Sequence, residues 1–150
     1  MGLEPVAAPY GGGKVFIADT SAWSRWRHPR VHSELMAAME NRQIATTPMV
    51  AIEVLRSARD GVEFDMTAAE LAELRDVPIS RSVTNAALLA FRELAHRQPL
   101  FHRSVTNEDL LIAAAAQDAS IGVLHYDADF DTLATVLSFE SRWIAPAGSL

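Results

Sequence analysis

The chain has 150 residues and a mass of 16.4 kDa, the size of one domain. It contains no cysteine, which excludes disulfides, Cys-ligated zinc, iron–sulfur clusters and thiol catalysis, and its 49% apolar and 21% charged residues indicate a globular chain. The formal charge of −6 argues against a protein that coats DNA but leaves nucleic acid open as a substrate, because charge can be distributed unevenly over a surface. No apolar run approaches the ~20 residues that span a bilayer, and the start, MGLEPVAAPYGGGK, lacks a basic segment followed by an apolar block. A cytoplasmic protein without a membrane segment is expected.

Residues 1–13 are rich in Pro and Gly and show no periodicity, so they read as a flexible extension before a single domain over 14–150. KVFIAD (14–19) is a short buried strand ending in a polar turn. A segment over Ala22–Arg27 is stopped by Pro29, and a helix follows over Val31–Glu40. QIATT (43–47) predicts a second strand, and Pro48 opens a helix to Arg59 that Gly61 ends. Thr67, with Glu70 three residues on, is placed to cap a helix over Ala68–Arg75. VPIS (77–80) is a third strand, Val83–Arg97 and Thr106–Ala119 are helices, IGVLHYD (121–127) is a fourth strand, Phe130–Leu137 a helix and RWIAP (142–146) a fifth strand. Short apolar strands alternating with helices predict an α/β fold, a mainly parallel sheet with helices on both faces. In such sheets ligands bind at the carboxyl ends of the strands.

Acids gather where that rule points. Asp19 ends the first strand, Asp127 and Asp129 follow the fourth, Asp109 lies in the first turn of the helix before it, and Glu53 sits in the otherwise apolar TPMVAIEVLRSA. Each has a local explanation: Asp19 as a helix cap, Asp109 as partner of Thr106 in a capping box, Glu53 in a pair with Arg56, Asp127, Asp129 and Asp131 as turn residues. Their joint placement at one rim favours a shared role. Converging carboxylates repel and either raise a pKa or recruit a cation. An oxygen-only set suits Mg²⁺ or Mn²⁺, and metal-assisted phosphodiester hydrolysis is the matching chemistry.

Competing motifs fail. Asp127-x-Asp129-x-Asp131 begins like an EF-hand loop, but Thr132 holds the glycine position and Ser138 the bidentate glutamate position. A haloacid-dehalogenase-type DxD would open the fold, whereas here only about 20 residues follow it. No phosphate loop, dinucleotide fingerprint or GxSxG elbow is present, and the five histidines have no zinc spacing.

Three separated segments, IADTSAW, TTPMVAIEVLRSAR and NEDLLIAAAAQDASIGVLHYDADFDTLA, together resemble the PIN-domain ribonucleases, and among them the VapC toxins of bacterial type II toxin–antitoxin pairs. The resemblance spans Lys14 to about Pro146. It implies a three-layer fold with a five-stranded sheet in the order 3-2-1-4-5. It also implies catalytic acids Asp19, Glu53, Asp109 and Asp127, with Asp19, Asp109, Asp127 and Asp129 as ligands of one or two Mg²⁺ or Mn²⁺ ions. Asp127 and Asp129 remain alternatives for direct ligation. Thr20 or Ser21 would orient the site or contact substrate, Arg25 and Arg56 would meet RNA phosphates, and Trp23 and Trp26 are candidates for stacking on bases. The implied partners are an RNA substrate, a VapB-like antitoxin lying across the acidic groove, and a second copy in a homodimer. Two further readings stay open: a non-catalytic RNA- or protein-binding module of the same fold, and a nuclease of housekeeping RNA processing or of DNA.

Overall fold

Phe16–Ala18 forms a strand (β1) with every side chain buried, as an uninterrupted apolar run between two helical layers requires. The structure is a computed structural model that describes residues 6–150. After β1 come a single helical turn, Thr20–Trp23 (α1), and Pro29–Glu40 (α2), whose proline occupies the first turn, where its missing N–H is harmless. Strand Ile44–Thr46 (β2) leads into Pro48–Arg56 (α3), Gly61–Ala72 (α4) and the edge strand Arg75–Asp76 (β3). Arg81–Arg97 (α5), a 3-10 turn at Phe101–Ser104 and Asn107–Asp118 (α6) precede Gly122–His125 (β4), Asp129–Leu133 (α7) and Ser141–Trp143 (β5).

The five strands are parallel in the order β3-β2-β1-β4-β5, the order the resemblance implies. Side chains alternate across β1, so the sheet has a core on each face. Phe16 and Ala18 join Ile44, Leu124, Val31 and Leu35 beneath α2. Ile17 joins Ala45, Val123 and the buried residues of α5, α6 and α7 on the other side. Burying both faces in this way gives three layers. Within α6, Ile112 and Ala113–Ala116 are all buried, so this helix is enclosed on every side, and its alanines let neighbouring backbones approach closely.

Several boundaries differ from the sequence expectations, most by a few residues: the helix expected over Phe130–Leu137 ends at Leu133, and the segment expected over Ala22–Arg27 is Thr20–Trp23. Ser57 closes α3, and Gly61 opens α4 instead of ending a helix: Asp60 caps it, accepting the Glu63 N–H at 2.8 Å. Thr67 therefore sits mid-helix. The third strand lies at Arg75–Asp76, ahead of Val77–Ser80, because Ala45 and Thr46 pair with Arg75 and Asp76; only the Val77 N–H continues the ladder, to Thr46 O. Ser80 caps α5, which starts at Arg81. Residues 1–5 of the expected extension lie outside the described residues. Its later part packs: Tyr10 is buried edge-on against Phe16, and the Gln43 amide donates to the carbonyl oxygens of Gly11 and Lys14. The packed body thus begins before Lys14.

Candidate active site

The acids come together because the topology sends each of them to one rim. Asp19 directly follows β1, and its N–H extends the ladder by donating to Leu124 O at 2.9 Å. Asp127 lies two residues beyond β4. α6 returns toward the start of β4, so its first turn, which carries Asp109, is at the carboxyl ends of the strands. Thr106 caps α6 by accepting the Asp109 N–H at 3.1 Å. Asp109 thus has both the local role and the place in the cluster.

One carboxylate oxygen each from Asp109, Asp127 and Asp129 lie within 4.8 Å of one another. The turn from Asp127 into α7 is tied down: the Asp129 N–H donates to Asp127 Oδ1 at 2.9 Å, and the Thr106 N–H donates to Asp129 Oδ2 at 3.3 Å. Asp109 is only 7% exposed. Burial, then the charges of Asp19 and Asp127, then a hydrogen bond with Asp129 and its charge push its carboxyl up to about 9. Asp19 stands outside this tight oxygen group but is electrostatically part of it. Burial raises its pKa against the opposing hydrogen bonds from Ser21, and Asp127 adds to the rise.

Thr20 and Ser21 both hydrogen-bond to acids of the rim. Ser21 Oγ donates to Asp19 Oδ2 at 2.6 Å and accepts the Tyr126 N–H at 2.9 Å, which links the end of β1 to the end of β4. The Ser21 N–H donates to the same Asp19 oxygen at 3.0 Å. Thr20 Oγ1 donates to Glu53 Oε2 at 2.7 Å, so the helical acid is held to the first acid's turn, although it lies outside the three-oxygen group. Asp19 Oδ1 is buried without a partner. A buried acceptor left open beside three clustered carboxylates, with no nitrogen or sulfur donor among them, fits a hard divalent cation.

Arg25 lies at the edge of the site, its guanidinium 4.2 Å from the Tyr126 ring centroid and donating to Ser21 O at 2.9 Å. Arg56 is exposed at the last turn of α3 and forms no ion pair among the described residues. Trp23 is half-buried against both cores, its indole N–H without a partner, whereas Trp26 is 36% exposed beneath Arg27. Asp131 faces away from the cluster: its carboxylate accepts from Ser141 Oγ and Trp143 Nε1. Behind Asp127 is one of the five histidines that have no zinc spacing. His125 is fully buried, which lowers its pKa to about 4 against the opposing charges of Asp131 and Asp127. A broader hollow of about 780 Å³, lined by Lys14, Arg75, Gln117 and Glu140 among others, opens at the amino-terminal ends of β1 and β4, the end remote from the acids.

The PIN domain family matches residues 16–136, most of the chain. The chain belongs to the PIN-domain family, in its VapC branch. Ribonuclease VapC18 of Mycobacterium tuberculosis is 39% identical over 91% of this chain and 99% of its own length. Ribonuclease VapC51 of the same organism is 35% identical over 90% of this chain and 96% of its own length. The fold is shared with the solved VapBC-5 toxin–antitoxin system of M. tuberculosis (TM-score 0.62, 21% identity, 86% of this chain and 98% of that one). It is likewise shared with DNA-bound VapBC from Salmonella typhimurium (TM-score 0.64, 14% identity, 85% of this chain and 98% of that one). The matched span of this VapC chain contains all five acids at the rim.

Proposed function

We propose that this VapC chain is a divalent-cation-dependent endoribonuclease, the toxin of a type II toxin–antitoxin module acting in the cytoplasm, with Mg²⁺ as its ion and Mn²⁺ able to replace it. The observation that carries the reading is Asp109: a buried carboxyl ringed by Asp19, Asp127 and Asp129, none of which forms an ion pair among the described residues. Asp19, Asp109, Asp127 and Asp129 would hold the ion. When bound, the ion supplies charge neutralisation at the phosphoryl oxygens and a water acidified for in-line attack. Glu53, with Oε2 engaged by Thr20, keeps Oε1 as an acceptor that would orient that water and take its proton. Ser21 keeps Asp19 aligned by holding Oδ2, which leaves Oδ1 free for ligation. Arg25, stiffened by Tyr126 and the Ser21 carbonyl, and the exposed Arg56 would contact RNA phosphates on either side.

The partners follow from the same reading. A VapB-like antitoxin and a second copy of the chain need apolar docking surfaces, and α3, α4 and α5 leave Ile52, Val62, Met66, Leu88 and Leu89 exposed. No helix among the described residues is long and apolar enough to cross a membrane.

The test incubates purified antitoxin-free protein with total cellular RNA in Mg²⁺, Mn²⁺ or EDTA, alongside Asp109→Ala, and maps the ends produced. Discrete cuts that need the ion and vanish in the variant are expected. Cleavage by Asp109→Ala at the parent rate, or no cleavage and no Mn²⁺ uptake by the parent, would sink the reading and favour the binding module.

A further inference from the structure

His125 closes β4, and its fully buried ring lies against Phe130 (centroids 4.8 Å apart) and Trp143 (5.1 Å). Its two nitrogens have unlike neighbours. The Asp127 N–H points at Nδ1 from 3.1 Å; an amide can only donate, so Nδ1 carries no hydrogen. The neutral ring then has its hydrogen on Nε2, which donates to Ser141 Oγ at 2.7 Å. The Ser141 hydroxyl, having accepted, donates in turn to Asp131 Oδ1 at 2.7 Å, and the other oxygen of Asp131 accepts from Trp143 Nε1 at 2.9 Å. The chain of hydrogen bonds from Asp127 through His125 and Ser141 to Asp131 therefore has one direction and one tautomer. It runs from α7 and β5 to the backbone of an acid in the cluster, and that acid's Oδ1 in turn fixes Asp129.

We propose that His125 is a positioning residue of the site: held as the Nε2–H tautomer by Ser141 and Asp131, it fixes the Asp127 backbone and through it the Asp127 and Asp129 carboxylates at the spacing a divalent cation needs. The proposal rests on the reading of these carboxylates as cation ligands. A side chain that merely filled space here would be replaceable by any group of similar volume. A positioning residue requires the acceptor at Nδ1.

The test measures Mn²⁺ affinity by calorimetry for the parent, His125→Leu, His125→Asn and Ser141→Ala, with thermal melts to confirm folding. Asn places Oδ1 where Nδ1 lies and so keeps the acceptor for Asp127, whereas Leu fills the space without it. His125→Leu is expected to weaken Mn²⁺ binding about tenfold or more, the range for losing a residue behind a metal ligand, and His125→Asn to recover most of that loss. Ser141→Ala removes the acceptor that anchors Nε2–H and leaves the Asp127 contact at Nδ1. Ring ¹⁵N spectra should show the parent as the Nε2–H form, and in the variant, whose ring has lost its anchor on β5, Mn²⁺ binding should weaken several-fold. If His125→Leu does not fold, Ser141→Ala decides. Folded His125→Leu that binds like the parent, equal losses in His125→Leu and His125→Asn, a parent ring in the Nδ1–H form, or an unchanged affinity in Ser141→Ala overturns the proposal alone. A parent that takes up no Mn²⁺ overturns the functional reading and this proposal together.

Discussion

Asp109→Asn should stabilise the cation-free protein while abolishing cleavage, and the size of the effect follows from the carboxyl's surroundings. In the fold Asp109 keeps its proton up to about 9, whereas in an unfolded chain an aspartate ionises near 3.9. Below pH 4 both states are neutral and the group contributes nothing to the balance. As pH rises the unfolded chain gains a solvated charge that the fold does not accept, so stability falls by about 1.4 kcal/mol per pH unit until the folded carboxyl also ionises. At pH 7 the full difference is about 4 kcal/mol. Asp127 and Asp129 are half-buried and leave the cluster open to solvent on one side, so screening reduces this to about 2 kcal/mol. Asparagine has the same shape and no charge at any pH. In EDTA at pH 8 the variant should melt ~4–8 °C above the parent, as ~2 kcal/mol implies for a domain of this size. The gap should close toward pH 4.5, and saturating Mn²⁺ should reverse the order by stabilising only the parent. An Asp109→Asn protein that melts at or below the parent in EDTA at pH 8 would refute the charge argument.

Three other outcomes are expected. Because Mn²⁺ must displace the proton on Asp109, its uptake at pH 7 should release about one proton and tighten roughly tenfold per pH unit from 6 to 8; titrations in buffers of different ionisation enthalpy would reveal this, and a flat profile would contradict it. Thr20→Val frees Glu53 from its 2.7 Å partner and should lower kcat about 10–100-fold while the melting temperature moves little, as read from single-turnover cleavage beside a thermal melt. Gly122→Ala places a methyl 2.6 Å from the Phe16 ring and 2.8 Å from Glu140 O; overpacking of this kind costs about 1–3 kcal/mol, measurable by urea denaturation.

The acids were legible in the sequence because each sits beside a strong local signal: the end of an apolar strand for Asp19 and Asp127, a capping threonine three residues earlier for Asp109. The strand order came from the resemblance, since nothing local in KVFIAD states that it pairs with IGVLHYD. The start of α4 differs from the expectation because two capping signals compete: Asp60 with Glu63, and Thr67 with Glu70. The earlier one adds two helical turns and prevails. The third strand, expected at 77–80, lies at Arg75–Asp76 because these two charged, exposed residues carry no strand signal of their own and only pairing with β2 makes them one. His125 escaped notice for another reason. Its role depends on Ser141 and Asp131, which reach it only after α7 and β5 have folded back onto β4.

The pairing of Ile17 with Val123 brings together positions about a hundred residues apart, and it has a consequence for synthesis. Asp19 is made early, yet its companions Asp109, Asp127 and Asp129 belong to the last third of the chain. Closing so long a loop carries an entropic cost that local helices do not meet. At ~5–20 residues per second, the interval between translation of β1 and of β4 is roughly 5–20 s. Throughout it the ribosome carries a polypeptide whose acidic cluster is not yet assembled. A prematurely terminated product that stops before β4 lacks Asp127 and Asp129, and on the proposed reading of these acids it would be inert toward RNA.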